Sequence, residues 1–137
     1  MGFAFDFDPI HQILRSIFSG RVTDEDLVNH QRAGMLLVNF LDPRFALIDL
    51  SDANPFEATA HGMRALAKLP PAMPQVDRPR VVIAPSDHTF GMARIFEVEG
   101  EVTRPNLHVV RSVQEAFAIL GVEMDETKFG PISAARR

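Results

Sequence analysis

The stretch that most constrains the fold runs from Arg80 to Phe96, RVVIAPSDHTFGMARIF. Val81, Val82 and Ile83 form an unbroken β-branched run, the pattern of a strand covered on both faces. Pro85 has no N–H to give and stops the ladder. Ser86 or Asp87 then supplies a side-chain oxygen for the free N–H groups of a helix's first turn, and Met92, Ile95 and Phe96 recur at helical spacing. A strand whose carboxyl end opens onto a helix start is the usual place for ligands in open α/β sheets. This stretch therefore predicts an α/β unit at the centre of the chain and a candidate site beside it.

The flanking segments extend the pattern. Phe3, Phe5 and Phe7 alternate with Ala4, Asp6 and Asp8, as in a strand with one buried face, and Asp8-Pro9 marks a turn. Gln12–Val22 is again strand-like, so the two runs predict an antiparallel hairpin, with Gly20 permitting a bend or bulge. Thr23 caps a helix whose first turn carries Asp24, Glu25 and Asp26, where the helix dipole favours negative charge. That helix is expected to run to Leu41. Leu27, His30, Gly34, Leu37 and Leu41 share its apolar face, Val28, Met35 and Val38 widen it, and Asp42-Pro43 ends it. His30 is expected there as a hydrogen-bonded core residue.

Phe45–Leu50 is apolar at nearly every position and predicts an interior strand. Asn54-Pro55 reads as a helix start, with Phe56, Ala60, Met63 and Ala67 as the buried stripe, and Gly62 suggests close contact between that helix and the sheet. Prolines 70, 71, 74 and 79 require a connecting loop. Glu97–Glu101 either prolongs the central helix or frays, and a frayed end is expected. Leu107–Val110 predicts a last strand, and Ser112 caps a helix ending at Gly121. The expected architecture is α/β, an N-terminal antiparallel hairpin followed by three parallel strands, within one domain at 1–125 and a tail at 126–137. Arg136 and Arg137 are expected to form a loose end.

Composition removes several classes of function. At 137 residues one domain suffices, burying roughly two-thirds of its unfolded surface. A formal charge of −4 gives no electrostatic reason to expect nucleic acid, and the absence of cysteine removes disulfides, thiolate nucleophiles and Cys-type zinc sites. The amino end lacks the basic flank and apolar run of a secretory signal, and no apolar run approaches the ~20 residues that cross a bilayer. A mature, cytoplasmic protein is expected, without a transmembrane segment.

Candidate chemistry is sparse. Ser86-Asp87-His88 holds the letters of a triad, but consecutive side chains fan apart, so capping is the expected role. The N–H groups from Asp87 to Phe90 can bind an anion, against the competing charge of Asp87. Arg94 is a candidate anion anchor or a solvated side chain, and His61 and His88 are expected near the same sheet end. The five histidines show no close metal spacing, and there is no glycine-rich phosphate loop.

In this order, the segments Gly20–Leu27, Asp42-Pro43-Arg44-Phe45, Ile48-Asp49-Leu50-Ser51, Ala84-Pro85-Ser86-Asp87 with Phe90–Arg94, and Val113–Phe117 resemble the SpoIIAA-like family of bacterial proteins, whose fold is that of STAS (anti-sigma-factor antagonist) domains. The resemblance covers nearly the whole chain up to Val122. It implies about five strands flanked by about four helices, a bacterial cytosol, and no established activity. In STAS regulators a serine after the Asp-Leu-Ser strand is phosphorylated to switch partner binding; here Glu57-Ala58-Thr59-Ala60 falls at that place. Ala58 has no hydroxyl, so the switch is expected to be lost, with Thr59 a substitute only if the register slips by one.

The expected function is thus a non-enzymatic regulatory module, binding a protein partner or itself, with homodimerisation possible and no cofactor. The alternative is a carrier or sensor of a small apolar or anionic ligand at the carboxyl ends of the strands; for either reading Ser86, Asp87, His88, Arg94, His61 and Thr59 are the candidate ligand or partner site residues.

Overall fold

The computed structural model describes residues 2–132, and the loose end expected at Arg136 and Arg137 lies outside the described residues. In chain order the elements are β1 (Phe3–Asp8), β2 (Ile13–Val22), α1 (Asp24–Leu41), β3 (Phe45–Phe56), α2 (Ala60–Ala67), β4 (Arg80–Ile83), α3 (Asp87–Glu99), β5 (Leu107–Val110) and α4 (Val113–Leu120). They form one α/β sheet in the order β1-β2-β3-β4-β5. β1 and β2 are the expected antiparallel hairpin, and β2 through β5 are parallel.

Side-chain alternation sorts the helices between the two faces of the sheet. Phe18, Leu50, Val82 and Leu107 point toward α1, α2 and α3, where they meet Leu27, Met63, Leu66 and Ala93. Ile13, Leu47, Val81 and Ile83 point the other way, onto Ala116, Phe117 and Leu120 of α4. On that second face the chain beyond α4 also returns to the sheet. Arg15 of β2 holds both Asp6 (2.6 Å) and Glu126 (2.8 Å), lies 3.9 Å over the Phe129 ring, and Gly130 pairs with Phe7 at the edge of β1.

Local chemistry sets most element ends. Thr23 and Asp26 form a reciprocal capping box at the start of α1, and Thr59, Ser86 and Ser112 cap α2, α3 and α4. Gly20, with a φ of 69°, occupies the left-handed region where the β2 register shifts against β3.

Four local expectations need correction. Asn54-Pro55 does not start a helix: its peptide bond is cis, and both residues lie in β3, which follows β2 as far as the pair Val22 and Phe56. β4 pairs with β3 only over Ala46–Asp49, so Pro55 sits where the far edge of β3 is free and its missing N–H breaks no ladder there. The helix begins instead at Ala60, leaving Phe56 as a buried strand residue. Gly62 packs against α1 and not the sheet, since a Cβ there would stand 2.2 Å from the Asp24 carboxylate. Met35 is 43% exposed. The buried stripe of α1 is Leu27, Gly34 and Val38, and Met35 is turned about 100° from Gly34 around the helix axis. Finally, α3 shows no frayed end: it continues to Glu99, and the N–H of Gly100 closes on the Phe96 carbonyl at 3.0 Å.

Candidate functional site

The residues singled out at the carboxyl end of β4 serve the fold. Ser86 Oγ accepts from the Thr89 N–H at 3.2 Å and donates to the Thr89 hydroxyl at 2.9 Å, so it does not engage His88. Asp87 forms an exposed ion pair with Arg111 at 2.6 Å. His88 Nε2 donates to the Phe56 carbonyl at 3.0 Å, tying α3 to the end of β3. Arg94 is exposed and pairs with Glu97, one helical turn on. His61 is exposed on α2. Thr59 caps α2, and its backbone N–H and hydroxyl both donate to Asp24, at 2.8 and 2.7 Å. None of these six residues lines the slot described below, and among the described residues no group of His, Asp or Glu is placed to hold a metal ion.

A different site lies between the sheet and the layer of α1, α2 and α3. It is an apolar slot of two chambers. One, of about 80 Å³, has walls from Phe5, Leu14, Val38 and Met73; the other, of about 60 Å³, is walled by Phe18, Leu50, Met63 and Val82. His30, Gln31, Ile48 and Phe96 border both chambers, so the two lie side by side. The larger chamber is several times the roughly 10–15 Å³ that one water requires.

His30 is the polar centre of this slot. Its Nε2 shares a hydrogen bond of 2.7 Å with Ser16 Oγ, and its ring stacks on Phe5 at 5.1 Å and meets Phe3 edge-on and Phe18 tilted. Burial pushes its pKa down to about 4, so it is neutral at pH 7. The expected core histidine is therefore present, with the Phe alternation of β1 supplying two sides of its box.

Positive charge gathers at the opposite end of the strands from the one singled out by sequence. Arg80, the first residue of β4, and Arg104, just before β5, border the larger chamber and are only 5% and 4% exposed. Arg80 donates to the carbonyls of Met73, Gln75 and Arg78. Arg104 donates to the carbonyls of Ala67 and Leu69 and to Thr103, and its guanidinium lies 4.9 Å over the Phe96 ring. Its Nε–H and one Nη2–H take no acceptor among the described residues. Neither arginine forms an ion pair among the described residues; carbonyl oxygens take most of their donors, with the Thr103 hydroxyl and the Phe96 ring also meeting Arg104 and the more distant charge of Asp77 acting on Arg80. Burial pulls both pKa values down, that of Arg104 to about 10, where the neighbouring charge of Arg80 adds to the effect. Two buried guanidinium groups with no carboxylate in ion-pair range among the described residues make this end of the slot attractive to an anion.

Sequence reasoning missed both arginines. The alternation of β4 does place Arg80 on the same face as Val82, which was a usable signal. Arg104 lies in a Thr-Arg-Pro-Asn loop, and nothing local marks it as folded inward. No protein-family model matches this chain, and no curated protein sequence matches it. Among the described residues, fold and site together define an α/β protein with a five-stranded mixed sheet, four α-helices of eight residues or more and an apolar slot beneath one helix layer. Among the described residues no helix is long and apolar enough to cross a membrane.

Proposed function

We propose that the chain is a non-enzymatic, STAS-like module of a bacterial cytosol that binds a small apolar molecule with an anionic head between its sheet and its helix layer. The observation that carries this is the pair Arg80 and Arg104, buried without a carboxylate partner at one end of an apolar slot. A bound carboxylate would accept the free donors of Arg104 and offset the charge of both guanidinium groups in a medium where such bonds are strong. The element order supports the resemblance to SpoIIAA-like proteins, and the loss of a hydroxyl at Ala58 favours a ligand over phosphate as the input.

The test is a thermal-shift and native mass-spectrometry screen against alkanoates, nucleotides and inorganic anions, since a ligand that binds only the native state raises apparent stability. Alkanoates are expected to bind, with a loss of about tenfold or more in Arg104→Met and partial recovery in Arg104→Lys. Nucleotide binding, or alkanoate binding unchanged in Arg104→Met, would reject this site.

A second function, binding of a protein partner or a second copy, is favoured by the outer surface of α1, where Leu36 is 74% exposed beside Met35. Sedimentation over a concentration series tests it. A dimer that dissociates in Leu36→Glu is expected if that surface is an interface.

A further inference from the structure

Outside the slot a second hollow runs between α1 and α2. It has a volume of about 340 Å³ and is walled by Val28, Met35, Ala65 and Leu69. Gln31 borders this groove and both chambers of the slot, and Leu66 borders the groove and the smaller chamber. The groove and the slot thus share a wall at Gln31 and Leu66. The Gln31 side chain stands where the three spaces meet, held by a 2.5 Å hydrogen bond from its Nε2 to the Pro70 carbonyl.

The charges around these spaces are one-sided. The chain carries 18 acidic residues against 14 Lys and Arg, yet among the described residues no Asp or Glu borders the groove or either chamber. The charged residues that do are Arg32, Arg80 and Arg104. Met35 and Leu69, at the groove's margin, leave apolar surface in water, 43% and 37% exposed. The inner end is cationic, the middle mostly apolar, and the outer groove apolar with Arg32 at its edge.

Building on the ligand site proposed above, we infer that its occupant is a single-chain anionic amphiphile, such as a free long-chain carboxylic acid, with its head at Arg104 and its tail passing Gln31 into the groove between α1 and α2. Gln31 acts as the latch between the two spaces, because turning its amide away from Pro70 joins them. A short acid fills only the slot; a longer one also covers Met35 and Leu69. The groove is occupied by the tail of the molecule whose head is inside, and not by a membrane.

Titration of the full chain with a homologous series of straight-chain carboxylates, from short to long and each below its micelle concentration, tests this. Affinity is expected to climb by roughly fourfold for each methylene that enters the groove. Met35→Glu, a change at a half-exposed position, is expected to erase that gain for long acids and leave short-acid affinity unchanged. Short acids binding with no gain along the series would overturn the tail path while leaving the slot site standing. A Met35→Glu loss that is equal at every chain length would overturn it too. If no carboxylate of any length binds, the slot site itself fails. Binding to anionic phospholipid vesicles without binding of the monomeric acids would reassign the groove to a membrane surface.

Discussion

The carboxylate of Asp24, at the start of α1, accepts both the backbone N–H and the hydroxyl of Thr59, at the start of α2. Gly62, in the first turn of α2, leaves the space in which that carboxylate lies. One acidic side chain thus serves two helix starts, and the place where an added phosphate on Thr59 would sit is already held by negative charge.

Gly62→Ala follows directly from this contact. In an ordinary helix interior the change stabilises by about 1 kcal/mol. Here the new methyl displaces Asp24 and breaks both bonds to Thr59, so a net loss of about 1 kcal/mol is expected by urea denaturation. In an Asp24→Ala background the same substitution should become neutral or stabilising. Stabilisation by Gly62→Ala in the otherwise unchanged chain would show that Asp24 moves aside at little cost.

His30, enclosed by Phe3, Phe5 and Phe18, predicts a pH dependence whose sign is fixed. Its folded pKa, about 4, lies below its ordinary value of 6.5, so between these values the unfolded chain binds more protons than the folded one. Stability from this group is full above about pH 6.5 and is lost as pH falls toward about 4, by roughly 3 kcal/mol in total. The double variant His30→Leu with Ser16→Ala, which removes both polar partners, should unfold with a shallower acid limb over that window. An unchanged limb in denaturant titrations across the window would place the acid sensitivity elsewhere.

The elements legible in the sequence are those whose ends are decided within a few residues. Thr23 with Asp26, Ser86 with Thr89, and Gly121 after α4 carry their capping chemistry locally, and the structure has helices ending at each. Asn54-Pro55 was not legible, because the same two residues suit a helix start or a free strand edge; pairing with β2, distant in sequence, decides for the strand. The site divides in the same way. The buried face of α1 marks His30, but its partner Ser16 comes from β2, and the arginines of the slot come from the start of β4 and the loop before β5. Each looks like an ordinary charged residue until the sheet assembles around it.

Ser86→Ala separates capping from chemistry. Removing the oxygen that receives the Thr89 N–H should cost about 1 kcal/mol of stability. Alkanoate binding should be unchanged, because Ser86 borders neither chamber of the slot. A variant of full stability that loses binding would restore the carboxyl end of β4 as the ligand site.

Arg15 fastens the chain beyond α4 to the sheet. It is 8% exposed and holds Asp6 and Glu126 together, with Phe129 beneath its guanidinium. Burial opposes its charge, but the hydrogen bonds and charges of the two carboxylates outweigh that and raise its pKa. Arg15→Met removes the shared cation and leaves Asp6 and Glu126 without it, so a loss of roughly 3 kcal/mol is expected. The same change should release the short 3₁₀ turn Glu126–Lys128, making the bond after Lys128 a site of fast tryptic cleavage under native conditions. Glu126→Gln, which keeps a hydrogen-bond acceptor near Arg15 on a side chain that is 66% exposed, should cost less than about 1 kcal/mol and leave that bond protected. Equal cleavage rates in the unchanged chain and Arg15→Met would show that Phe129 and the Gly130 bridge to Phe7 hold this segment without the ion pairs.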